Sequence, residues 1–334
     1  MKKLKLLMTA IIATTVVAGG LLLTGCRNRD TDYDFTIGIL NTAQVPALEQ
    51  GRRGFESRLR FLLESEGKTV QFDYRNAGGD SATQTTIANS FAAQNVDMMF
   101  TLGTGGSQAA RDIASVANIP QVFGVITDPV GAGLVTPNTS GSSSAAPMET
   151  QVGLMADMVG GLSELRNVAY IYTASEDNSR ATGNRLAAAG DEMGFTVTRF
   201  SINQLSDLNS IFISIAANPE IQLIYIGQDN QITNNMQMVQ NLNRSSTRPL
   251  PIVVADLPIV GMGAVAALNV DFWTNGVRAA DIAFRILIDG VTPGDIPFYR
   301  PVAETLSLWV NQTEAAALNF TVPTTVTNRA ARTL

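Results

Sequence analysis

Three aspartates, Asp128, Asp229 and Asp256, could do chemistry, because each follows an apolar, strand-like stretch of the chain. A carboxylate in such a position could act as an acid/base catalyst or bind a cationic amine. Catalysis of the glycosidase type requires two carboxyl groups with opposed protonation, and nothing in the sequence marks such a pair. Asp229 is the favoured amine-binding candidate, since polar Gln228 and Asn230 flank it. The alternative for each acid is a capping or turn-forming role.

Other catalytic chemistry is limited by the residue types present. The chain has no histidine and a single cysteine, Cys26. Zinc sites built from cysteine and histidine are therefore excluded, as are Ser-His-Asp triads. No cofactor and no metal site is predicted, and an enzymatic function is disfavoured.

The segment GTGGS, which starts at Gly103, could receive an anion. It lacks the lysine of a P-loop and the full GxGxxG spacing, so a nucleotide site is disfavoured. Two interpretations remain. The segment is either a tight strand-to-helix turn, or its amides and the side chains of Thr104 and Ser107 hold a carboxylate or a neutral polar atom. The second needs no positive side chain, because a helix N-terminus carries partial positive charge.

The elements that position these residues form a unit that occurs twice. The succession strand, loop, helix, strand, helix, strand begins at Phe35 and again at Asn167. Parallel strands need helical crossovers, so two such arrays predict an α/β fold of two doubly wound parallel-sheet lobes. The Ser-rich segment LVTPNTSGSSSAAP between them is either a disordered linker or a connecting strand, and the bracketing repeats favour the strand.

A strand and a helix remain after the second unit, with Ala279, Ala280, Ile282, Ala283, Ile286 and Leu287 on the apolar face of the helix. They must add to one of the lobes, and several crossings of the chain between lobes would then form a hinge. The predicted division is 35–140 plus 258–290 for the first lobe, 141–257 plus 291–325 for the second lobe, and 326–334 as a C-terminal tail.

Ligands of open parallel sheets bind outside the carboxyl ends of the strands, so the loops at those ends predict the site. The candidate ligand-binding residues are Asn41, Gln44, Thr104, Gly105, Ser107, Thr127, Asp128, Ser175, Asn178, Ser179, Asp229 and Asp256. Phe272 and Trp273 could stack on a flat ligand or pack in the core or hinge.

The N-terminus has the charge-then-apolar layout of an export signal, with three lysines followed by an apolar stretch from Leu6 to Leu23. The quartet Leu-Thr-Gly-Cys that ends at Cys26 resembles the lipobox of bacterial lipoproteins. That resemblance implies a signal peptide over 1–25, a lipid on the Cys26 thiol and a tether over 26–34. The alternative is an uncleaved membrane helix. Cleavage would leave 20 basic and 29 acidic residues, a net charge of −9, which disfavours nucleic acid as a partner.

Several segments resemble one family in sequence and order: IGIL, NAGGDSATQ, FTLGTGGSQAA, VFGVITDPVGAGLV, YIYTASEDNS, YIGQDN and VNQTEAAALNFTVP. The most specific are TDPVGAGLV and the tail, where Asn311, Ala315, Leu318 and Pro323 hold the spacing. The chain resembles the substrate-binding lipoproteins of ABC importers in the tryptophan/tyrosine-binding-like family. The resemblance covers almost the whole predicted mature chain. It implies a type I periplasmic binding fold with three crossovers, export, a lipid anchor and aromatic amino acid ligands.

Two positions depart from the family pattern. Asn319 stands where glycine is common, and asparagine also tolerates the left-handed conformation at a helix end. The loop NTAQVPALEQ keeps Pro-Ala-Leu but lacks the acidic residue or histidine often found before it. The first-strand contact to ligand is therefore expected to differ.

These features predict a monomeric, extracytoplasmic solute receptor, lipid-anchored through Cys26 at the periplasmic or outer face of the cell membrane. It would bind a small molecule between the lobes, possible ligands including an amino acid, and deliver it to an ABC permease and its ATPase. One alternative is a surface sensor or adhesin with the same fold. Another, less favoured, is a small-molecule enzyme.

Overall fold

The computed structural model describes residues 33–334. The predicted signal peptide, Cys26 and most of the tether lie outside this range. Within it, no helix is both long and apolar enough to cross a membrane.

The first lobe is an open, five-stranded parallel sheet in the order β2-β1-β3-β4-β5. Its elements are β1 (Phe35–Asn41), α1 (Pro46–Ser65), β2 (Val70–Asn76), α2 (Ser81–Gln94), β3 (Met98–Leu102), α3 (Thr104–Val116), β4 (Gln121–Ile126) and β5 (Thr139–Ser143). Every residue of β3, β4 and β5 is buried, as in a parallel sheet covered on both faces.

The Ser-rich segment between the repeats is the connecting strand rather than a disordered linker. Its residues Thr139–Ser143 form β5, the edge strand of the first sheet. The buried hydroxyls have partners, since Ser140 Oγ donates to the Ile296 carbonyl oxygen and Ser142 Oγ donates to Asn275 Oδ1, both at 2.7 Å. These bonds offset the cost of burying polar groups.

The second lobe is a seven-stranded, mostly parallel sheet in the order β12-β11-β10-β9-β8-β6-β7. Its first elements are α4 (Met148–Met158), β6 (Asn167–Thr173), α5 (Asp177–Met193), β7 (Thr196–Ile202), α6 (Asp207–Ala217), β8 (Leu223–Ile226), α7 (Asn230–Asn234), α8 (Met236–Arg244), β9 (Ile252–Val254) and β10 (Ala266–Val270). After α9 (Phe272–Ile288) the chain adds β11 (Leu306–Val310), α10 (Gln312–Ala317), α11 (Thr324–Thr327) and β12 (Arg332–Thr333). Within this sheet, β11 is antiparallel to β10.

The strand and helix that follow the second repeat go to different lobes, which corrects the predicted division. Strand β10 pairs with β9 and β11 in the second sheet. Helix α9 packs along α1 of the first lobe. Close approach makes this contact specific, because a Cβ on Gly276 would lie 1.9 Å from the Gly51 carbonyl oxygen. Residues 258–270 therefore belong to the second lobe, and the first lobe resumes only at α9.

Three smaller boundaries also differ from the prediction. Residues 291–299 stay with the first lobe, because Ile296 belongs to its core and the Tyr299 amide donates to the Gly141 carbonyl oxygen. All of β5 lies in the first sheet, so residues 141–143 belong to the first lobe. Residues 326–334 form part of the second lobe, because Val326 is fully buried and β12 pairs with β11. The chain passes between the lobes three times: after β5, before α9 and before β11. The predicted α/β architecture of two parallel-sheet lobes joined by several crossings is confirmed.

Candidate functional site

Three chambers in the cleft between the two lobes share lining residues, since Thr104 and Asn178 line all three. The outer chamber is a cavity of about 760 Å³ between the first turns of α2 and α3 and the starts of α5 and α7. The side chamber, about 200 Å³, lies between the loop after β4 and α5. The inner chamber, about 20 Å³, lies deepest between the lobes.

The first-lobe wall of the outer chamber is built from helix N-termini. Asp80 caps α2, its Oδ1 accepting from the Thr83 amide at 2.7 Å. Helix α3 starts after Gly103, which has no side chain to cap it, and Thr42 Oγ1 accepts from the Gly106 amide at 2.8 Å. Its first residues, Thr104 and Gly105, line the chamber. Amides in the first turn of a helix have no partner within the helix, so this wall can receive an anionic or polar group.

Asp229, the favoured amine-binding candidate, is saturated by the protein itself. It is buried, and its Oδ2 accepts from the Thr173 amide at 2.6 Å and from Ser179 Oγ at 2.7 Å. Its Oδ1 accepts from Thr173 Oγ1 at 2.8 Å and from the Ile232 amide at 2.9 Å, which caps α7. A carboxylate has about four acceptor positions. Asp229 therefore has the capping role that the sequence left as its alternative.

Glu176 lies beside Asp229 and faces the outer chamber. Its Oε2 accepts from the Asn230 amide at 2.9 Å and its Oε1 from the Gln231 amide at 3.0 Å, so it also holds the start of α7. Burial and the negative charge of Asp229 raise the pKa of Glu176 to about 7.

Asp256 lines the inner chamber and retains an unused acceptor. Its Oδ2 accepts from Thr233 Oγ1 at 3.4 Å, whereas its buried Oδ1 has no hydrogen-bond partner among residues 33–334. Burial and, to a smaller extent, the charges of Asp229 and Glu176 raise the pKa of Asp256 to about 7, although hydrogen bonds with Thr233 and Gln228 partly offset the increase. Unpartnered buried acceptors are costly, so a donor supplied by a ligand would be stabilising here.

The second-lobe wall thus carries three clustered carboxyl groups, those of Glu176, Asp229 and Asp256. Of the residues that the structure describes, no lysine or arginine lines the outer or the inner chamber. The same part of the chain holds no group of three or more residues suited to bind a metal ion. A cationic ligand would supply the compensating charge.

The opposite wall of the inner chamber is apolar. Its apolar residues are Val45, Ala47 and Leu48 at the start of α1, together with Val125 of β4, and Thr104 and Thr127 are polar residues at its edge. No aromatic side chain of residues 33–334 lines any of the three chambers.

Two hydrogen bonds join the lobes across the cleft. At the mouth, Gln108 Nε2 of α3 donates to Asp177 Oδ2 of α5 at 3.2 Å. At the bottom, Thr127 Oγ1 donates to Gln228 Oε1 at 2.6 Å. Both lobes therefore contact each other on either side of the chambers.

Most of the sequence-predicted candidates lie at this cleft. Those that line a chamber are Thr104, Gly105, Thr127, Asp128, Ser175, Asn178, Asp229 and Asp256. The others, Asn41, Gln44, Ser107 and Ser179, line none of these chambers. Gln44 is exposed at the surface.

The three remaining candidates are buried and bonded to the protein. Asn41 Nδ2 donates to the Tyr74 hydroxyl at 3.1 Å. Ser107 Oγ bonds to Thr101 Oγ1 at 2.8 Å, and Ser179 Oγ donates to Asp229. Phe272 is fully buried in the core of the first lobe, and Trp273 lies on the surface of α9, so neither stacks in the cleft.

Sequence reasoning missed Glu176, Gln84 and Val125. Glu176 had a usable signal, because it is an acid within a strand-end loop. Gln84 lies one turn inside α2, where its Oε1 would be 3.0 Å from a Cβ on Gly105. Val125 reads as an ordinary residue of a buried strand, and no local signal marks it.

Comparison with known proteins gives the family. A family model for the ABC transporter substrate binding protein matches residues 36–334. A tyrosine-binding protein of Clostridioides difficile (strain R20291) is 28% identical over 315 residues, which are 89% of this chain and 88% of that protein.

Two solved structures are similar in fold. The ABC domain in complex with L-Trp from Streptococcus pneumoniae has a TM-score of 0.77 at 25% identity, covering 89% of this chain and 100% of its own. A ligand-free, open structure of a substrate-binding protein with adhesive properties from Clostridium difficile has a TM-score of 0.65 at 25% identity, covering 89% and 98%. The match over residues 36–334 shows that this chain belongs to the ABC transporter substrate-binding protein family.

Proposed function

We propose that this protein is the extracytoplasmic receptor of an ABC importer and that it binds an α-amino acid in the cleft. The observation that carries the proposal is the unpartnered Oδ1 of Asp256, within a cluster of carboxyl groups at two chambers that no lysine or arginine of residues 33–334 lines. An ammonium group brings both the missing donor and the missing charge.

The two walls of the cleft suit the two charged groups of an amino acid. The ammonium group would donate to Asp256 and lie near Glu176, while Asp229 holds the loop and the first turn of α7 in place. The carboxylate would accept from the amides of Thr104 and Gly105 in the first turn of α3, beside the Gly106 amide that Thr42 already bonds. A ligand bound in this way contacts both lobes and stabilises the closed state through its differential affinity.

The side chain of the ligand would lie against Val45, Leu48 and Val125. One similar protein is a tyrosine-binding protein and another forms a complex with L-Trp, which supports a ligand with an apolar or aromatic side chain. Among the described residues no aromatic side chain lines these chambers, so recognition would rest on apolar contact rather than on ring stacking.

Delivery to a permease and its ATPase, and attachment through a lipid on Cys26, complete the proposal. Two or more acyl chains hold a protein at a membrane durably, since each buried methylene contributes about 0.8 kcal/mol. The family membership and the lipobox-like sequence before Cys26 support this arrangement. We expect a monomer that acts without nucleic acid.

The test combines ligand identification with one substitution. Native mass spectrometry of the mature protein and a melting-shift panel of amino acids, nucleosides and sugars should identify an amino acid. Asp256→Asn should then weaken its binding by about 1.5–3 kcal/mol, the worth of a charge-assisted hydrogen bond. Asp112→Asn, which removes an exposed charge from α3, is the matched control and should leave affinity unchanged.

Two outcomes would count against the proposal. A ligand without a cationic group, or an unaltered affinity of Asp256→Asn, would remove the ammonium site. If no compound gave a response and the purified protein showed adhesion, the surface-adhesin alternative would be favoured. One similar structure is that of a substrate-binding protein with adhesive properties, which supports the same alternative.

A further inference from the structure

Val125 has a backbone conformation that its side chain disfavours. Its φ is +57°, in the left-handed region, where a β-branched residue clashes with its own backbone. The residue is buried and lies in β4, where the register with β5 shifts between Phe123 and Ile126. Strain of this kind persists only where surrounding structure enforces it, and it concentrates at functional sites.

Asn275 of α9 enforces the conformation. Its Oδ1 accepts from the Val125 amide at 2.9 Å and from Ser142 Oγ at 2.7 Å, and its Nδ2 donates to the Ser143 carbonyl oxygen at 2.7 Å. Asn275 is fully buried. One side chain thus supplies the partners that the ladder between β4 and β5 loses at the bulge.

The bulge sets the position of the Val125 side chain at the inner chamber. Its Cγ2 would lie 2.6 Å from a Cβ on Gly51, so α1 accommodates it only because residue 51 is glycine. Beside it, Val45 and Leu48 continue the same apolar wall, opposite Asp256. The chamber that remains holds about 20 Å³.

We propose that Val125 is a specificity-determining residue that limits the size of the apolar group accepted at the inner end of the cleft. Asn275 is the positioning residue that holds the strained bulge. The inference rests on the proposed function, since it concerns the side chain of the bound amino acid. It explains why a valine occupies a position where glycine would be relaxed.

The experiment compares Val125→Gly, Val125→Ala and wild-type protein with alanine, valine, leucine, phenylalanine and tryptophan as ligands. Both variants enlarge the chamber, so the affinity for the bulkiest ligand relative to valine should rise by about 10-fold or more, as for methylene-sized changes in apolar pockets. Glycine also relieves the backbone strain. Val125→Gly should therefore melt at a higher temperature than Val125→Ala although it removes more atoms.

Asn118→Gly is the matched control, because Asn118 also has a positive φ, +55°, but is exposed between α3 and β4. It should not change the ligand profile. A wild-type protein that responds to these amino acids while both Val125 variants keep the same affinity ratios would overturn this inference alone. A wild-type protein that responds to none would sink the proposed function, and the inference with it.

Discussion

Two aspartates that occupy equivalent places in the sequence have different roles in the structure. Asp229 follows β8 and Asp256 follows β9, and both are buried. Asp229 accepts four hydrogen bonds from protein groups, whereas one oxygen of Asp256 has no partner in residues 33–334. The Asp229 carboxylate holds its loop in place, whereas the Asp256 carboxylate has an oxygen to which a ligand can donate a hydrogen bond.

The raised pKa values of Glu176 and Asp256 predict that stability and ligand binding respond to pH in opposite directions. Both carboxyl groups have pKa values of about 7 in the folded protein, against roughly 4 in an unfolded chain. The folded state therefore binds protons first, and the ligand-free protein should gain stability as pH falls from about 8 to about 5. An ammonium ligand needs ionised carboxylates, so its affinity should fall over the same range.

Thermal melts of ligand-free protein and calorimetric titrations at several pH values would measure both effects. Ligand binding near pH 7 should release protons, seen as a dependence of the binding enthalpy on the buffer. Asp256→Asn should flatten both curves. A pH-independent affinity between 5 and 8 would contradict the assignment. Hydrogen bonds from the Asn203 and Gln204 amides lower the pKa of Asp207. This carboxylate therefore affects stability only at more acidic pH.

At this scale the sequence located the strand-end loops but not the function of individual residues. Eight of the twelve candidates line a chamber. Ser107 and Ser179 lie in the right loops, yet their hydroxyls are used inside the protein. Whether a polar group faces the ligand or the protein depends on partners from distant segments, such as Thr173 for Asp229, and a local pattern does not contain them.

Among the elements, α9 was predicted in the first lobe and lies there, whereas β10, predicted in the same lobe, belongs to the second sheet. The apolar face of α9, including Ala279, Ala280 and Ala283, is buried as its spacing indicated. An apolar stripe fits any lobe, however, and the choice depends on the close contact of Gly276 with Gly51. Asn319 has a φ of +53°, the left-handed conformation that the sequence allowed for asparagine at this helix end.

The glycines between α1 and α9 give a stability prediction. Gly276→Ala would place a Cβ 1.9 Å from the Gly51 carbonyl oxygen, so the helices must separate. Overpacking of this kind costs about 1–3 kcal/mol, and denaturant unfolding should show that loss. Gly153→Ala is the control, because a Cβ there meets nothing within 4 Å in helix α4. It should stabilise by about 0.4–1 kcal/mol. Equal effects of the two substitutions would show that the close approach is not rigid.

For the whole molecule, duplication of the βα unit was enough to predict two parallel-sheet lobes and a cleft between them. The strands and helices of each sheet could be predicted from its repeat, because apolar runs and turn residues are local sequence signals. The placement of β10 in the second lobe and of α9 in the first depends on contacts that exist only in the folded molecule. The degree of cleft closure likewise depends on such contacts, for example that between Gln108 and Asp177.

The bond from Gln108 to Asp177 joins the two lobes at the mouth of the cleft, so we expect it to favour a closed arrangement of the lobes. Gln108→Ala should open the ligand-free protein, increasing its radius of gyration in X-ray scattering. An exposed hydrogen bond of this kind contributes at most about 1.5 kcal/mol. The dissociation constant rises as the closed fraction falls, so it should increase by no more than about 12-fold. Saturating ligand should restore the scattering of the closed state.

The matched control for this prediction is Gln71→Ala, on an exposed position of β2 away from the cleft. It removes the same side chain without touching the second lobe, so scattering and affinity should both stay at wild-type values. If Gln108→Ala weakened binding while the ligand-free radius of gyration stayed constant, Gln108 would act on the ligand directly, since it lines the outer chamber. If neither quantity changed, the contact at the mouth would play no part in closure, and the bond between Thr127 and Gln228 would be the next to test.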